Sequence, residues 1–109
     1  MTAISPTDLF NRMKTENFCL IDVREPSEHQ EVHIANCVLI PLASFKENPG
    51  QVQHEGRAIV FICRSGRRSE DARKIFASVF SDLTAYNLTG GILAWEAAGL
   101  PVVKKNELD

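Results

Sequence analysis

One cysteine in this 109-residue sequence is surrounded by residue types that would make it reactive. Cys63 is followed by Arg64-Ser65-Gly66-Arg67-Arg68-Ser69, so three arginines and one glycine lie close to a single thiol. Cationic neighbours lower the pKa of a cysteine from its free value of about 8.5, and the thiolate is the nucleophilic form. The segment therefore predicts a thiolate that faces a small anion. A buried cysteine with a purely structural role is the alternative.

The flanking sequence places this cysteine at a strand-to-helix turn. Residues 58–62 are a continuous apolar run, Ala-Ile-Val-Phe-Ile, which is typical of a strand buried on both faces. From residue 69 to residue 79, apolar side chains recur at helical spacing. In open α/β sheets ligands bind at the carboxyl ends of strands, and helix N-termini attract anions. We therefore expect Cys63 to lie in an anion-binding site.

Two residues of the turn have predicted backbone roles. Gly66 tolerates the positive φ that an inward-turning loop requires. Ser69 is predicted to be the N-cap of the following helix, because serine accepts hydrogen bonds from first-turn amides. The alternative for Ser69 is that its hydroxyl faces Cys63.

The rest of the chain alternates between strand and helix patterns. Strands are predicted at residues 1–4, 18–21, 38–40, 58–62 and 83–88. Helices or helical turns are predicted at residues 6–15, 26–31, 42–45 and 69–79, with a short helix after Gly90-Gly91. Such alternation favours an α/β fold with a mainly parallel sheet of about five strands and helices on both faces.

Length and composition limit the classes of function. With 44% hydrophobic and 24% charged residues, the sequence predicts one domain over residues 1–109, with a core from about 4 to 103 and a frayed charged tail at 104–109. A net charge of −2 argues against general binding of nucleic acid or membrane surfaces. No apolar run approaches the ~20 residues that span a bilayer. We expect a monomer or a weak dimer.

The cysteine content bears on the compartment and on metal binding. Three cysteines without an evident secretion signal predict reduced thiols and a cytoplasmic location. There is no Cys-x-x-Cys pair and no Cys/His spacing of a zinc site, so neither a metal nor another cofactor is expected. Cys19 and Cys37 are predicted to be core residues. A resolving-thiol role for Cys37 is the alternative.

Four sequence blocks, taken in order, resemble the rhodanese-like family of single-domain sulfurtransferases. Together they cover roughly residues 4–103. The blocks are Leu20-Ile21-Asp22-Val23-Arg24-Glu25-Pro26 with Glu28 and His33-Ile34, then Ile40-Pro41-Leu42, then residues 59–69, then Gly-Gly-x-x-x-Trp-x-x-x-Gly-x-Pro at 90–101. The resemblance implies a rhodanese-like three-layer domain. Val32 and Asn36-Cys37 depart from the usual glycine and Gly-Ala of the family, which predicts a different local backbone path.

The resemblance also implies a sulfurtransferase that works in two half-reactions. Cys63 would take sulfane sulfur from thiosulfate or another persulfide donor, and a thiol or cyanide would then remove it. The implied partners are a small anionic sulfur donor and a thiol acceptor, either a small molecule or a protein cysteine. The residues expected to bind these groups through loop amides and cationic side chains are Arg64, Ser65, Gly66, Arg67, Arg68 and Ser69.

Two charged residues are expected to support this loop. By resemblance, Asp22 and Arg24 lie at the end of a neighbouring strand and hold the loop through ion pairs and hydrogen bonds. Solvated surface charges are the alternative. No histidine is expected to act in catalysis, because the loop itself would keep Cys63 ionised.

Three other functions stay open at this point. They are a non-catalytic binding or regulatory module, a phosphatase of the same fold and an arsenate reductase of the same fold. The spacing between Cys63 and Arg68 disfavours the phosphatase. Arg68 follows Cys63 as Cys-x4-Arg, whereas related phosphatases have the longer Cys-x5-Arg loop that admits a phosphate.

Overall fold

The computed structural model of the chain describes residues 2–105, and these contain two sheets. Their strands are β1 (Ala3–Ile4), β2 (Cys19–Asp22), β3 (Val32–His33), β4 (Val38–Leu39), β5 (Ile59–Ile62), β6 (Ala85–Leu88) and β7 (Val103–Lys104). The main sheet has the order β1-β6-β5-β2-β4, and every pairing in it is parallel. β3 and β7 form a separate antiparallel ribbon. The prediction of a mainly parallel five-stranded sheet is therefore confirmed.

Helices cover both faces of the main sheet. The α-helices of residues 2–105 are α1 (Pro6–Arg12), α2 (Pro26–Glu31), α3 (Leu42–Glu47), α4 (Arg67–Val79) and α5 (Gly91–Ala97), of which α2 has no buried residue. Phe45 of α3 and Phe76 of α4 pack on one face, whereas Leu9 of α1 and Trp95 of α5 pack on the other. The three-layer α/β arrangement is thus confirmed. It explains the continuous apolar runs of β2 and β5, in which every residue is buried.

Trp95 is a core residue. Its side chain is 1% exposed and packs edge-to-face on Phe10, with ring centroids 6.1 Å apart. The indole N–H donates to the carbonyl oxygen of Pro101 at 2.8 Å, so its single polar atom is satisfied. Trp95 thereby anchors α5 against the sheet and joins the segment after α5 to the same core.

Two predictions about the ends of elements are wrong. Ser69 is not the N-cap of α4, because Gly66 adopts a left-handed conformation and the helix begins at Arg67. Lys104 is not part of a frayed tail, because β7 pairs it with Val32 of β3. Two-residue strands such as these leave no periodic pattern in a sequence. Met1 of the first predicted strand and residues 106–109 of the predicted tail lie outside the described residues.

The two departures from the family pattern have local structural explanations. Val32 has φ −160° and ψ 134°, an extended conformation that suits a β-branched side chain. Asn36 has φ 66°, and asparagine tolerates the left-handed region better than most residues other than glycine. Among residues 2–105, no helix is both long and apolar enough to cross a membrane.

Candidate active site

Cys63 directly follows β5, the middle strand of the main sheet, and opens the turn into α4. We call residues 63–69 the Cys63 loop. The residue is only 1% exposed, so its thiol lies beneath the loop. The fold therefore places Cys63 where the sequence predicts it, at the carboxyl end of a buried parallel strand.

Gly66 gives the loop its inward turn. It has φ 99° and ψ 1°, a conformation that a side chain would strain. A Cβ atom here would also lie 3.3 Å from the backbone nitrogen of Gly90. In this conformation the Gly66 N–H donates to Cys63 Sγ at 3.1 Å. The predicted backbone role of Gly66 thus coincides with a direct contact to the sulfur.

The start of α5 holds the other side of the loop. The backbone N–H groups of Ile92 and Leu93 donate to the carbonyl oxygens of Cys63 at 2.9 Å and Arg64 at 3.1 Å. Gly91 allows this approach, because a Cβ atom on it would lie 2.5 Å from the Arg64 carbonyl oxygen and closer still to that of Cys63. The Gly-Gly pair of the sequence therefore lets one helix terminus dock against the loop backbone.

Ser69 and Asn87 extend the contacts of the sulfur. Ser69 is fully buried, and its Oγ lies 3.2 Å from Cys63 Sγ and 2.5 Å from Asn87 Oδ1. Asn87, on β6, donates through Nδ2 to the Gly66 carbonyl oxygen at 2.9 Å. The alternative in which the Ser69 hydroxyl faces Cys63 is the one the geometry supports. Asn87 was missed by sequence reasoning, although a polar residue inside an apolar strand was an available signal.

These contacts determine the direction in which the pKa of Cys63 shifts. Burial opposes ionisation, but hydrogen bonds from the Ser69 hydroxyl and from the amides of Ser69, Gly66 and Ser65 outweigh it, so the pKa of Cys63 lies below its usual value. The sequence predicts the same direction from nearby arginines. In the structure the lowering comes from the hydroxyl and the amides, as at a helix N-terminus.

The three arginines of the loop have different environments. Arg64 and Arg67 are exposed, and neither forms an ion pair with any residue in the part of the chain that the structure describes. Arg68 instead forms a bidentate pair with Glu28 of α2, at 2.7 and 2.9 Å. The hydrogen bond from Arg68 lowers the pKa of Glu28 to about 2. An anion that binds Arg68 must therefore share it with Glu28, a residue for which no role is predicted from the sequence.

Asp22 and Arg24 form a buried ion pair on the adjacent strand end, at 1% and 2% exposure. Arg24 Nε lies 2.9 Å from Asp22 Oδ1, and Arg24 Nη2 lies 2.8 Å from Oδ2. Further hydrogen bonds join Asp22 to His29 Nδ1 at 2.8 Å and Arg24 to the Val32 carbonyl oxygen. Within residues 2–105 these hydrogen bonds run to α2 and β3 and not to the Cys63 loop. They are not the solvated charges of the alternative reading.

Cys37 completes what we call the Asp22 corner, which comprises Asp22, Arg24, His29 and Cys37. One potential ligand atom from each of Asp22, His29 and Cys37 lies within 4.8 Å of the others. Both Asp22 oxygens, however, accept hydrogen bonds from Arg24, and a metal ion would bring a second positive charge beside that guanidinium. Burial and the Asp22 carboxylate raise the pKa of Cys37 to about 12. The geometry therefore describes an ion-pair cluster with a protonated thiol.

A separate cleft lies at the β4 edge of the main sheet. Its volume is about 490 Å³, and its lining includes Cys19, Val38, Gln53 and Arg57 but no residue of the Cys63 loop. Cys19 is 4% exposed, and burial raises its pKa. The Arg57 guanidinium is engaged by carbonyl oxygens of Phe18, Gln53 and His54. We therefore place the candidate site at the Cys63 loop and interpret Cys19 as a core residue, as predicted.

Fold and site together define a class of protein: a three-layer α/β domain with a cysteine under a loop of amides at the end of its central strand. The sequence model of the rhodanese-like domain matches residues 5–98. The chain therefore belongs to the rhodanese-like family.

Individual relatives agree with this assignment. An uncharacterized protein of Synechocystis sp. is 38% identical over 102 residues, which are 93% of this chain and 55% of that protein, so the chain spans about half of it. A protein named sulfurtransferase from Allochromatium vinosum is 33% identical over 82% of this chain and 81% of its own length. The crystal structure of a rhodanese-related protein from Thermoplasma volcanium is 30% identical and has a TM-score of 0.83, with 94% of this chain and 98% of that one covered. The protein is thus a rhodanese-like domain with relatives named sulfurtransferases.

Proposed function

We propose that the protein is a sulfurtransferase that carries sulfane sulfur as a persulfide on Cys63. The observation that supports this most directly is the environment of Cys63 Sγ, which has the Gly66 N–H at 3.1 Å and the Ser69 hydroxyl at 3.2 Å. Donors placed in this way stabilise a sulfur anion inside a buried site. The sulfurtransferase named among the relatives supports the same class of reaction.

The first half-reaction would load the cysteine. Thiolate Sγ attacks the outer sulfur of thiosulfate, the Sγ–S bond forms, and the S–S bond of the donor breaks so that sulfite departs with the electron pair. Arg64 and Arg67, both exposed, would attract the sulfonate group of the donor. Arg68 would contribute to donor binding to the extent that its ion pair with Glu28 opens.

The second half-reaction would return the cysteine to its first state. An acceptor thiolate or cyanide attacks the outer sulfur of the persulfide, the Sγ–S bond breaks, and Cys63 regains the electron pair as a thiolate. The loop amides that hold the thiolate would also hold the terminal sulfur anion of the persulfide. No external oxidant or reductant is needed, because each step exchanges one sulfur–sulfur bond, or a sulfur–carbon bond in the case of cyanide, for another.

Intact-protein mass spectrometry after incubation with thiosulfate tests this proposal. We expect a gain of one sulfur atom, about 32 Da, located on Cys63 and lost again on addition of a thiol. Cys63→Ser should show no gain, whereas Cys37→Ser should retain it, because Cys37 lies in the Asp22 corner. Absence of the gain with thiosulfate and with a persulfide donor would rule out the proposal. Turnover of a phosphate ester by the same preparation would favour the phosphatase alternative.

A further inference from the structure

We propose that Asn87 is a positioning residue for Cys63, which acts through Gly66 and Ser69; the proposal rests on the sulfurtransferase function proposed above. Asn87 lies on β6, the strand beside β5 in the main sheet. It makes no hydrogen bond to the sulfur itself. Both groups of its amide, however, contact the residues whose N–H and hydroxyl approach Sγ.

The hydrogen bonds fix the orientation of the Asn87 amide. Nδ2 donates to the Gly66 carbonyl oxygen at 2.9 Å, which leaves Oδ1 directed at Ser69 Oγ, 2.5 Å away. An amide oxygen only accepts, so the Ser69 hydroxyl must donate to it. The reversed amide would place Nδ2 beside the hydroxyl and Oδ1 against a carbonyl oxygen, which is unfavourable. A single side chain therefore constrains two separate parts of the loop.

The position of the Ser69 hydroxyl proton determines how this arrangement affects the sulfur. The Ser69 hydroxyl has one proton and two acceptors within reach, Asn87 Oδ1 at 2.5 Å and Cys63 Sγ at 3.2 Å. While Cys63 is a thiol, its S–H can donate to Ser69 Oγ as Ser69 donates to Asn87. When Cys63 ionises, the hydroxyl proton is shared between Asn87 Oδ1 and Sγ in a three-centre hydrogen bond. The hydroxyl oxygen stays in place through this change, because Asn87 and the buried surroundings of Ser69 hold it.

The contact with Gly66 acts on the second donor. Gly66 has φ 99°, and glycine has many alternative conformations available. Holding its carbonyl oxygen with Asn87 Nδ2 selects the conformation in which its N–H lies 3.1 Å from Sγ. Loss of Asn87 would therefore misalign both donors, and the thiolate would lose stabilisation even though every atom that touches it remains.

The experiment measures the rate at which iodoacetamide alkylates Cys63 as a function of pH, with the site identified by peptide mass spectrometry. No sulfur donor is involved, so the result stands whether or not the protein transfers sulfur. Hydrogen bonds to a charged group change an equilibrium by roughly tenfold or more. We therefore expect Asn87→Ala and the near-isosteric Asn87→Leu to raise the midpoint, the pH at which the alkylation rate is half-maximal, by about one pH unit. The control Tyr86→Phe, a change at the neighbouring position of β6, should keep the wild-type midpoint.

Ser69→Ala and the double variant distinguish positioning from simple structural support. If Asn87 acts partly through Ser69, the midpoint shift of Ser69→Ala with Asn87→Leu should be smaller than the sum of the two single shifts. A wild-type midpoint in both Asn87 variants would overturn the proposal, even with a lowered melting temperature. A lowered midpoint would also overturn it, because Asn87 would then compete with the sulfur for the Ser69 proton. Asn87→Leu fills the space of the amide, so a fold that fails only in Asn87→Ala leaves the test intact.

Discussion

Cys63 is buried and Cys37 is half-buried, and their pKa values move in opposite directions. Burial raises both, but at Cys63 the Ser69 hydroxyl and the loop amides outweigh burial, whereas at Cys37 the Asp22 carboxylate adds to it. This difference indicates that hydrogen-bond donors, and not exposure, determine the direction in which the pKa of a cysteine shifts in this protein.

The two regions also differ in how they use charge. In the Asp22 corner the carboxylate accepts hydrogen bonds from Nε and Nη2 of Arg24 and lies 2.8 Å from His29 Nδ1. In the Cys63 loop the donors face the sulfur, and Arg64 and Arg67 remain exposed at the rim. The charged groups of the Asp22 corner are paired with one another, which suits this region to stabilising the fold. In the Cys63 loop Arg64 and Arg67 form no ion pair within residues 2–105, and the proposed function assigns them to an external anion.

The largest effect is expected from breaking the ion pair of the Asp22 corner. Asp22→Asn leaves the buried Arg24 without a countercharge, which should lower the free energy of unfolding by about 3–5 kcal/mol. Arg24 and His29 lower the pKa of Asp22 against burial, so the contribution is present above the ordinary carboxyl pKa and is lost as pH falls below it. Urea unfolding at pH 7 measures the loss of stability in Asp22→Asn, and urea unfolding at low pH measures how that loss depends on pH.

The exposed Glu31, 3.9 Å from Lys105, provides the control. Glu31→Gln should change the unfolding free energy by less than about 0.5 kcal/mol. If Asp22→Asn is equally mild, the corner does not have the structural role assigned to it, and the contrast with the Cys63 loop fails.

A smaller but still large effect is expected in the relative reactivity of the two thiols. Because the pKa of Cys37 is raised to about 12 and that of Cys63 is lowered from its ordinary value, Cys63 has the far larger thiolate fraction at pH 7. The more basic thiolate is intrinsically more nucleophilic, but this offsets only about half of the difference on a logarithmic scale. We therefore expect alkylation of Cys63 to be at least ~10-fold faster, as measured by peptide mass spectrometry. Equal rates would contradict the opposite pKa directions.

The smallest effect concerns the rim of the Cys63 loop. Glu28→Gln removes the charge that engages Arg68, so Arg68 becomes available to a donor anion, and the KM for thiosulfate should fall about threefold with little change in stability. Because the pKa of Glu28 is about 2, the pair persists at neutral pH and is lost only as pH falls from about 4.5 toward 2. Steady-state kinetics at pH 7 measure the change.

Glu70 offers a matched control on α4, where it pairs with Arg73 at 2.6 Å. Glu70→Gln should leave KM unchanged. A KM that rises or stays constant in Glu28→Gln would show that the Glu28–Arg68 pair serves the structure of the loop and not its affinity for anions.

Much of the fold could be predicted from the sequence because its signals are local. The apolar runs at 18–21 and 58–62 identify strands buried on both faces, and the alternation with helical segments indicates parallel pairing. The position of Cys63 follows from the run that precedes it. The ribbon of β3 and β7 could not be predicted, since two-residue strands show no periodicity.

The parts of the site that were missed depend on distant residues or on backbone conformation. Glu28 and Asn87 lie 40 and 18 positions from their partners Arg68 and Ser69, so only the folded chain brings them together. The helix begins before Ser69 because Gly66 adopts positive φ, a choice that the sequence permits but does not require. The nearby arginines predict the direction in which the pKa of Cys63 shifts but not its cause. Every sequence contains backbone amides, and only the folded loop shows which of them point at the sulfur.

The pairing of β1 with β6 has a consequence for the order of folding. Ala3 and Ile4 lie opposite Asn87 and Leu88, so β1 has no partner in the main sheet until residues 85–88 are in place. Contacts between such distant segments slow folding, because a long loop must close before they form. β6, the strand that bears Asn87, therefore gains its second neighbour only when β1 pairs with it.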